Sequence, residues 1–398
     1  PFNPERPDAV PVGGIASPQP VLDVAGRFGG SVQAAIDALP PSGGTLRFAP
    51  GTYAGEFTLA GRSNVHFISD GGATLRAGAG PVMGRIAGCP LALDYGNFVR
   101  AVRLDSDAQH RSALDCVAQR ARNIYLRDLT FDGGGRATTG IALAAVADVV
   151  LDRVTFTGFV DPRVGHGGLL DGSAMLDNVW CRECRFEGRQ RWAVYLDGLH
   201  GGGVLGSRIG SGFGSGGLLF LTNDDFTRRN TDPNAWQPAD LRTAAYVVVA
   251  GNTFAGGDYQ AVRAAGRNVL VKGNVAEGRL GYGFAGFDTK SSMIWPDLVY
   301  EYFGNKVIGN RTGDLPELVE LDQAGGTHNP EWPNRARLGR YTVRENVVAG
   351  TPGSAALVHE VGDVEGPNTV TGNCLNDRAD RAGGSCSDPA GPPAAGSP

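Results

Sequence analysis

The sequence predicts an all-β protein built as a parallel β-helix, a solenoid in which short strands stack coil upon coil. Glycine supplies 61 of the 398 residues with no Gly-X-Y period, a content that suits a fold with many turns and excludes collagen. A strand–turn–strand unit recurs, and its shortest spacing of 22–25 residues is the length of one coil. An asparagine also recurs at one turn position of the later units.

Each repeated unit is a strand, a sharp turn, a second strand and a glycine-bounded loop. Alternation within each strand places one side chain inward and the next outward. β-branched residues dominate, and the fixed signature of a leucine-rich repeat is absent. The aligned segments begin at Ile124, Val149, Val179, Val247, Val269, Tyr300, Tyr341 and Thr369.

The recurring asparagine predicts a ladder of stacked side chains. Its position holds Leu129, Val154 and Cys184 in the early coils. We expect each later amide to bond to the next one and to the turn backbone, which is a structural role. The predicted rungs are Asn252, Asn274, Asn305, Asn346 and Asn373.

The amino-terminal part predicts a short helix followed by the first coil. Ser31 is a suitable N-cap for a helix over residues 31–39, whose buried stripe comprises Val32, Ala35, Ile36 and Leu39. This segment, Ser31-Val-Gln-Ala-Ala-Ile-Asp-Ala-Leu39, and the following Gly43-Gly-Thr-Leu-Arg-Phe-Ala-Pro-Gly-Thr-Tyr53 resemble the start of the pectin lyase-like superfamily. The resemblance implies a right-handed β-helix whose open end is capped by the helix, in line with the right-handed rule for parallel crossovers.

Three regions are expected along the chain. Residues 1–19 form an extended segment, residues 20–376 the β-helix catalytic domain, and residues 377–398 a disulfide-tied segment with a Pro/Gly/Ala/Ser tail. Because it starts at Pro1, we expect the chain to begin after a removed signal peptide or at an artificial boundary. No apolar run of membrane-spanning length is present.

Six cysteines favour secretion and disulfide bonds, because an even number occurs without a zinc-ligand pattern. We predict the pairs Cys374–Cys386 and Cys89–Cys116. Cys181 and Cys184 occupy positions that are apolar in neighbouring repeats, so we expect them in the core and predict no metal site and no cofactor.

Ionisable residues collect on a second strand of the later coils. Because parallel strands stack ~4.8 Å apart, residues at equivalent positions form one continuous column. Like charges at that spacing repel each other and displace pKa values. Folding alone does not require such a column of charges, so the column indicates a function. The column consists of Tyr195, Asp197, Asp224, Asp225, Arg263, Asp288, Lys290, Glu320, Asp322 and Glu360.

Tryptophans lie beside this column. Loops after Asp225, Lys290 and Asp322 each carry one, namely Trp236, Trp295 and Trp332, and Trp192 enters the strand that ends at Asp197. Indole faces next to carboxylates and cations suit sugar rings. We therefore expect Trp236, Trp295, Trp332, Trp192, Tyr195, Arg263 and Lys290 to bind a polysaccharide or oligosaccharide.

Paired carboxylates on this scaffold predict a secreted glycoside hydrolase that inverts configuration. The expected catalytic residues are Asp288, with Asp224 or Glu320 as its partner, then Asp322, and Asp197 in reserve. Asp197 followed by Asp224-Asp225 one coil later is similar to the polygalacturonase pattern, although that family's Gly-His-Gly and Arg-x-Lys motifs are absent.

Three other functions compete with hydrolysis. A lyase is favoured by Arg263 and by Phe287-Asp-Thr-Lys-Ser291, which resembles a motif of β-helix alginate lyases, but Glu320 or Asp322 stands where an arginine is expected. An epimerase would carry Asp-Pro-His where this chain has Asp161-Pro-Arg163. A tailspike-like or adhesin-like solenoid would bind glycans without catalysis.

The net charge of −5 gives no general attraction to nucleic acid or to anionic membranes.

Overall fold

The computed structural model describes most of the repeated part of the chain. The described residues are 17–93, 112, 115–116, 118–161, 167–172, 175–221, 244–288, 301–313, 315–322, 337–349, 356–361, 363–375 and 378–379.

Three parallel sheets run along the molecule, and each coil contributes one strand to each sheet. Sheet 1 begins with Val21–Asp23, which pairs in parallel with the next strand, and this pairing continues from coil to coil. Its strands are Val21–Asp23, Gly44–Phe48, the first part of Val65–Arg76, the first part of Ala121–Asp132, Val146–Asp152, Leu176–Arg182, Leu199–Leu205, Ala244–Ala250, Gly266–Arg267 with Leu270–Lys272, Lys306–Ile308, Thr342–Arg344 and Thr369–Thr371.

Sheet 2 follows sheet 1 after a sharp turn. Several turn positions are left-handed, as at Asp128, Arg153 and Glu183. Its strands are Gly51–Ala54, the second parts of Val65–Arg76 and Ala121–Asp132, Thr155–Phe159, Arg185–Gly188, Arg208–Ile209, Thr253–Phe254, Val275–Ala276, Arg311–Thr312, Val347–Val348 and Cys374–Leu375.

Sheet 3 has ten strands and carries the ionisable residues singled out above that lie in the described ranges. They are Phe57–Ala60, Val82–Ala87, Thr139–Ala144, Gly168–Gly172, Gln190–Asp197, Phe213–Leu221, Gln260–Ala264, Ala285–Asp288, Glu317–Asp322 and Ala356–Val361.

A few elements lie outside the three sheets. Helices span Val24–Phe28 and Val32–Asp37, and a 3-10 turn spans Pro90–Leu93. Glu301–Phe303 pairs in parallel with Arg337–Gly339 in a two-stranded sheet. Arg378–Ala379 pairs with Cys374–Leu375, and this is the only antiparallel pairing within the described part of the chain.

Stacked apolar side chains fill the interior between the sheets. Phe131, Phe156 and Phe186 occupy one register position in consecutive coils, with ring centroids 5.5 and 5.2 Å apart. All three side chains are fully buried. Because an aromatic side chain buries about 150–250 Å² of surface, such stacks contribute much of the stability of each coil.

The predicted asparagine ladder is present, with one rung corrected. Asn252, Asn274, Asn310, Asn346 and Asn373 form it, and each Nδ2 donates to the next Oδ1 at 2.8–2.9 Å. The prediction of Asn305 as a rung was wrong. The chain takes 36 residues from Asn274 to Asn310, because this coil includes the additional strand Glu301–Phe303.

Asn305 has a different structural role from the ladder. Its Oδ1 accepts from the backbone N of Val269 at 3.0 Å, and its Nδ2 donates to the carbonyl of Gly266 at 3.0 Å. It thereby holds the additional strand of its coil against sheet 1. The Gly304-Asn305 and Gly309-Asn310 dipeptides look alike in sequence, so the sequence alone did not separate them.

The amino-terminal helix is shorter than predicted, at Val32–Asp37, and Ser31 is its N-cap. Ser31 Oγ accepts from the backbone N of Ala34 at 3.2 Å, which is an N-cap hydrogen bond. The predicted stripe is buried, since Val32, Ala35, Ile36 and Leu39 are at most 4 % exposed. A second helix, Val24–Phe28, precedes it and was not predicted.

The cysteines behave in part as predicted. Cys89 and Cys116 form a disulfide with an S–S distance of 2.06 Å. Cys181 and Cys184 lie in the core, as expected, and are joined to each other by a disulfide. Cys386 lies outside the described residues, so the predicted Cys374–Cys386 pair stays a prediction.

Candidate functional site

Strand pairing in sheet 3 arranges the ionisable residues in two rows. We call the first the central row; its register runs Asp171, Tyr195, Leu219, Arg263, Gly286, Glu320, His359. The second, the end row, lies two residues further along the strands. It includes Asp197 and Leu221 in one pair and Asp288 and Asp322 in another.

The central row lies on the outer face of the solenoid. Tyr195, Arg263 and Glu320 are partly exposed, whereas the residues after them, Leu196, Ala264 and Leu321, belong to the buried core. Period-two alternation explains this difference, because adjacent side chains of a strand point to opposite faces. Tyr195, Arg263 and Glu320 are therefore accessible to a ligand, whereas Leu219, between Tyr195 and Arg263, is only 5 % exposed.

Glu320 is a carboxylic acid of the predicted column whose surroundings displace its pKa. Burial raises its pKa, the charges of Glu317 and Asp322 raise it further, and Arg263 and Gln260 oppose the rise. A carboxyl group with a raised pKa can remain protonated and donate its proton. Asp322, two residues along the same strand, is only 6 % exposed.

Gln260 and Gly286 shape the space beside Glu320. Gln260 is 4 % exposed, and its Nε2 donates to Glu320 Oε2 at 3.4 Å. The glycine of the intervening strand makes this contact possible, because a Cβ at Gly286 would lie 2.3 Å from Gln260 Nε2. The central row thus has a gap without a side chain between Arg263 and Glu320.

A histidine–carboxylate pair stands at the carboxy-terminal side of Glu320. His359 Nδ1 lies 2.8 Å from Glu317 Oε2, and the His359 side chain is 54 % exposed. His359 pairs in register with Glu320. Protonation of His359 would therefore add a positive charge close to two carboxylates.

Asp171 is a second carboxyl group with displaced titration, at the other end of the central row. It accepts a hydrogen bond from the backbone N of Gly168 at 3.3 Å. An edge of the side chain is exposed, yet burial of the carboxyl group raises its pKa to about 7. Tyr195, on the next strand, separates Asp171 from Arg263 along the row.

The structure brings together part of the predicted site. Glu320, Arg263 and Tyr195 share the central row, and the backbone of Asp288 pairs with that of Asp322 in the end row, as predicted. Asp197 also belongs to the end row and is 6 % exposed. The predicted residues Asp224, Asp225, Trp236, Lys290, Trp295 and Trp332 lie outside the described residues.

Two expectations are corrected. Trp192 is 5 % exposed and packs in the core cluster, where a Cβ at Gly216 would lie 1.9 Å from its ring, so its role is packing rather than sugar stacking. Glu360 is not part of the column, because it pairs with Leu321 while His359 takes the position beside Glu320. Glu360 instead accepts a hydrogen bond from the hydroxyl of Tyr341.

Sequence reasoning missed Gln260, Glu317, His359 and Asp171 as members of this face. Gln260 and Glu317 stand three residues before Arg263 and Glu320, where period-two alternation predicts the opposite face, so the sequence contains no signal for them. Both contact Glu320, one by a hydrogen bond and one by charge. Among the described residues, no group of three or more His, Cys, Asp or Glu is arranged to hold a metal ion.

No protein-family model and no curated protein matches the sequence. Solved structures do. The adhesin PfbA of Streptococcus pneumoniae is similar with a TM-score of 0.53 and 15 % identity, over 86 % of this chain and 91 % of that one.

Two further solved structures are similar over most of their length. The A-module of the Azotobacter vinelandii mannuronan C-5 epimerase AlgE4 has a TM-score of 0.47 and 14 % identity, over 86 % of this chain and 94 % of its own. The polygalacturonase of Erwinia carotovora ssp. carotovora has a TM-score of 0.46 and 10 % identity, over 89 % and 98 %.

None of the helices in the described ranges is long and apolar enough to cross a membrane.

At these identities the similarity concerns the fold. The three parallel sheets, the stacked core and the match to PfbA agree with one architecture. The chain has the fold of the right-handed parallel β-helix proteins.

Proposed function

We propose that this protein is a glycoside hydrolase that degrades a polysaccharide, with Glu320 as the general acid and Asp288 as the general base. The observation that carries the proposal is the half-buried Glu320, whose pKa is raised by burial on an outward face lined with charged groups. Hydrolysis of a glycosidic bond needs one carboxylic acid to protonate the leaving oxygen and one carboxylate to activate water.

The register supports an inverting reaction. Asp288 is one strand away and two residues along from Glu320, since Gly286 pairs with Glu320 and Asp288 with Asp322. Strand geometry puts the Cα atoms of such diagonal positions ~8 Å apart, a backbone separation that is compatible with the carboxyl spacing of an inverting pair. Carboxyl groups about 6.5–9.5 Å apart leave room for the attacking water of an inverting enzyme, whereas retaining pairs stand about 5 Å apart.

The remaining predicted residues take binding roles in this proposal. Arg263 and Tyr195 lie on the same row as Glu320 and would contact sugar units along the solenoid axis. Trp236, Trp295, Trp332 and Lys290 belong to the segments that follow the strands of sheet 3 in sequence. Asp224, Asp322 and Asp197 stay as alternative partners for Asp288 or Glu320.

A panel of polysaccharides tests the reaction class. New reducing ends without ultraviolet absorbance from unsaturated uronates would support hydrolysis, and new unsaturated absorbance would show elimination instead. Glu320→Gln and Asp288→Asn should each reduce the rate by several orders of magnitude, because each removes a proton-transfer group. The control Asp258→Asn changes an exposed carboxylate at the turn before Gln260 and should retain activity.

Glycan binding without turnover is the second candidate, favoured by the structural similarity to PfbA, which is described as a surface adhesin. The same face would then hold a sugar chain while Glu320 performs no chemistry. Binding of a polysaccharide that survives prolonged incubation unchanged, with equal affinity in Glu320→Gln, would select this function over hydrolysis.

We also infer that the protein works outside the cytoplasm and that the helix Val32–Asp37 caps the first coil. The disulfides Cys89–Cys116 and Cys181–Cys184 support the first inference, since such bonds persist in oxidising compartments. The second is supported by the buried face of the helix. Gln33 also accepts from the backbone N of Thr58 at 2.7 Å, at the first strand of sheet 3.

A further inference from the structure

We propose that Gln260, reaching across the side-chain gap at Gly286, is the positioning residue that orients Glu320 for proton donation. Proton donation by Glu320 rests on the proposed function, whereas the contact between Gln260 and Glu320 does not depend on it. Gln260 is buried, and its Nε2 lies 3.4 Å from Glu320 Oε2. Gln260 and Glu320 come from strands separated by Ala285–Asp288.

The gap at Gly286 is what lets Gln260 reach Glu320. Glu320 is separated from Arg263 by the strand that carries Gly286, and two strand spacings amount to about 10 Å. Any larger residue at Gly286 would occupy the position of the Gln260 amide, as a Cβ there lies 2.3 Å from Nε2 and 2.8 Å from Oε1.

The chemistry of the amide explains why a glutamine suits this place. Its NH₂ group donates to one oxygen of Glu320 and fixes the direction of the carboxyl plane, and a neutral amide adds no charge beside Glu317 and Asp322. The donated bond favours the ionised form of Glu320 and so limits the rise of its pKa. Two other ionisable residues share this row: His359 lies on the adjacent strand, in register with Glu320, and Arg263 lies two strands away.

Three variants test the proposal. Gln260→Met keeps the length of the side chain and removes the donor. Gly286→Ala leaves Gln260 unchanged and displaces its amide, at little cost to folding because only the end of a flexible side chain must move. Gly214→Ala is the matched control, since this glycine also lies in sheet 3 and a Cβ there would meet nothing within 4 Å.

The first readout is the titration of Glu320, monitored by carbon NMR of protein labelled at the glutamate carboxyl groups. The signal of Glu320 is assigned by its loss in Glu320→Gln. We expect the midpoint to rise in Gln260→Met and in Gly286→Ala and to stay unchanged in Gly214→Ala. Unchanged midpoints in both Gln260→Met and Gly286→Ala, in folded protein, would overturn the proposal. This readout does not need turnover, so it stands or falls separately from the proposed hydrolysis.

The second readout applies to the hydrolysis reaction. Gln260→Met and Gly286→Ala should lower kcat by roughly 10- to 100-fold with little change in KM, because a misplaced proton donor affects the transition state more than substrate binding. The basic limb of the pH–rate profile should move to higher pH together with the Glu320 midpoint. A rise of KM at constant kcat would instead show that Gln260 binds substrate, and would contradict a positioning role.

Discussion

Two carboxyl groups on one face of the solenoid, Glu320 and Asp171, are held in surroundings that favour their neutral form. For both, burial is the main cause of the raised pKa. Glu320 differs because charged residues on its own and neighbouring strands act on it, which suits a group that changes protonation during a reaction. Asp171 has one backbone hydrogen bond and lies three strands from Arg263.

The raised pKa of Asp171 leads to a prediction about how stability depends on pH. Burial raises the pKa of Asp171 to about 7, from 3.8 for the free side chain. The folded state therefore binds more protons in this window, and its stability falls as the pH rises through it. Asp171→Asn removes this loss, so it should be more stable than the wild type at pH 8, by on the order of 2 kcal/mol, and similar at pH 4.

Urea denaturation at pH 4 and pH 8 measures this difference. Asp258→Asn, at an exposed position, serves as the control and should show no pH-dependent gain. If Asp171→Asn gains nothing at pH 8 relative to pH 4, the carboxyl group of Asp171 titrates normally and the account of its surroundings is wrong.

At the scale of elements, the strand pattern and the N-cap at Ser31 were predictable because period-two alternation and local capping are encoded within a few residues. Two features of these elements could not be predicted from the sequence. The choice between Asn305 and Asn310 depends on how many residues the chain spends outside the coil. The burial of Trp192 depends on Gly216, a glycine on a different strand. Contacts between coils decide both.

Because Asn310 is a buried rung of the ladder, we expect its side chain to stabilise the protein more than the side chain of an exposed residue does. In Asn310→Ala, the backbone N and the Nδ2 of Asn274 both lose their buried acceptor. We expect a loss of about 3 kcal/mol in the free energy of unfolding, since an unsatisfied buried donor costs about 1–3 kcal/mol. Thr369→Ala, at an exposed position of sheet 1, should cost less than about 0.5 kcal/mol. Equal stability of the two variants in urea would contradict the ladder.

At the scale of the whole molecule, the coils are quasi-repetitive, so stability is distributed along the solenoid and function is concentrated where the repeats depart from one another. The early coils carry Thr58, Arg85 and Ala142 on the central row, and the later ones carry Arg263, Gly286 and Glu320. This change along one sheet is visible in the sequence, and it is why the sequence places the candidate site on the later coils. The contact of Gln260 with Glu320 was not, because it joins strands that are 60 residues apart.

The disulfide Cys89–Cys116 should stabilise the molecule by closing a loop with a sequence separation of 27 residues. Removing both sulfur atoms in Cys89→Ala/Cys116→Ala should lower the free energy of unfolding by about 2–4 kcal/mol, chiefly by relaxing the unfolded chain. A reductant should affect the stability of this double variant less than that of the wild type. Identical responses to reductant would show that the bond does not form in solution, and would weaken the inference of an extracellular location.

The proposed function places hydrolysis of a glycosidic bond on sheet 3, with Glu320 as the acid. Proton NMR of the anomeric region, recorded during the first turnovers on a cleaved glycan, tests it most directly. We expect the wild type to release first the product with inverted anomeric configuration, and Glu320→Gln and Asp288→Asn to release none while remaining folded. Product with retained configuration, an unsaturated product, or full activity in Glu320→Gln would contradict it.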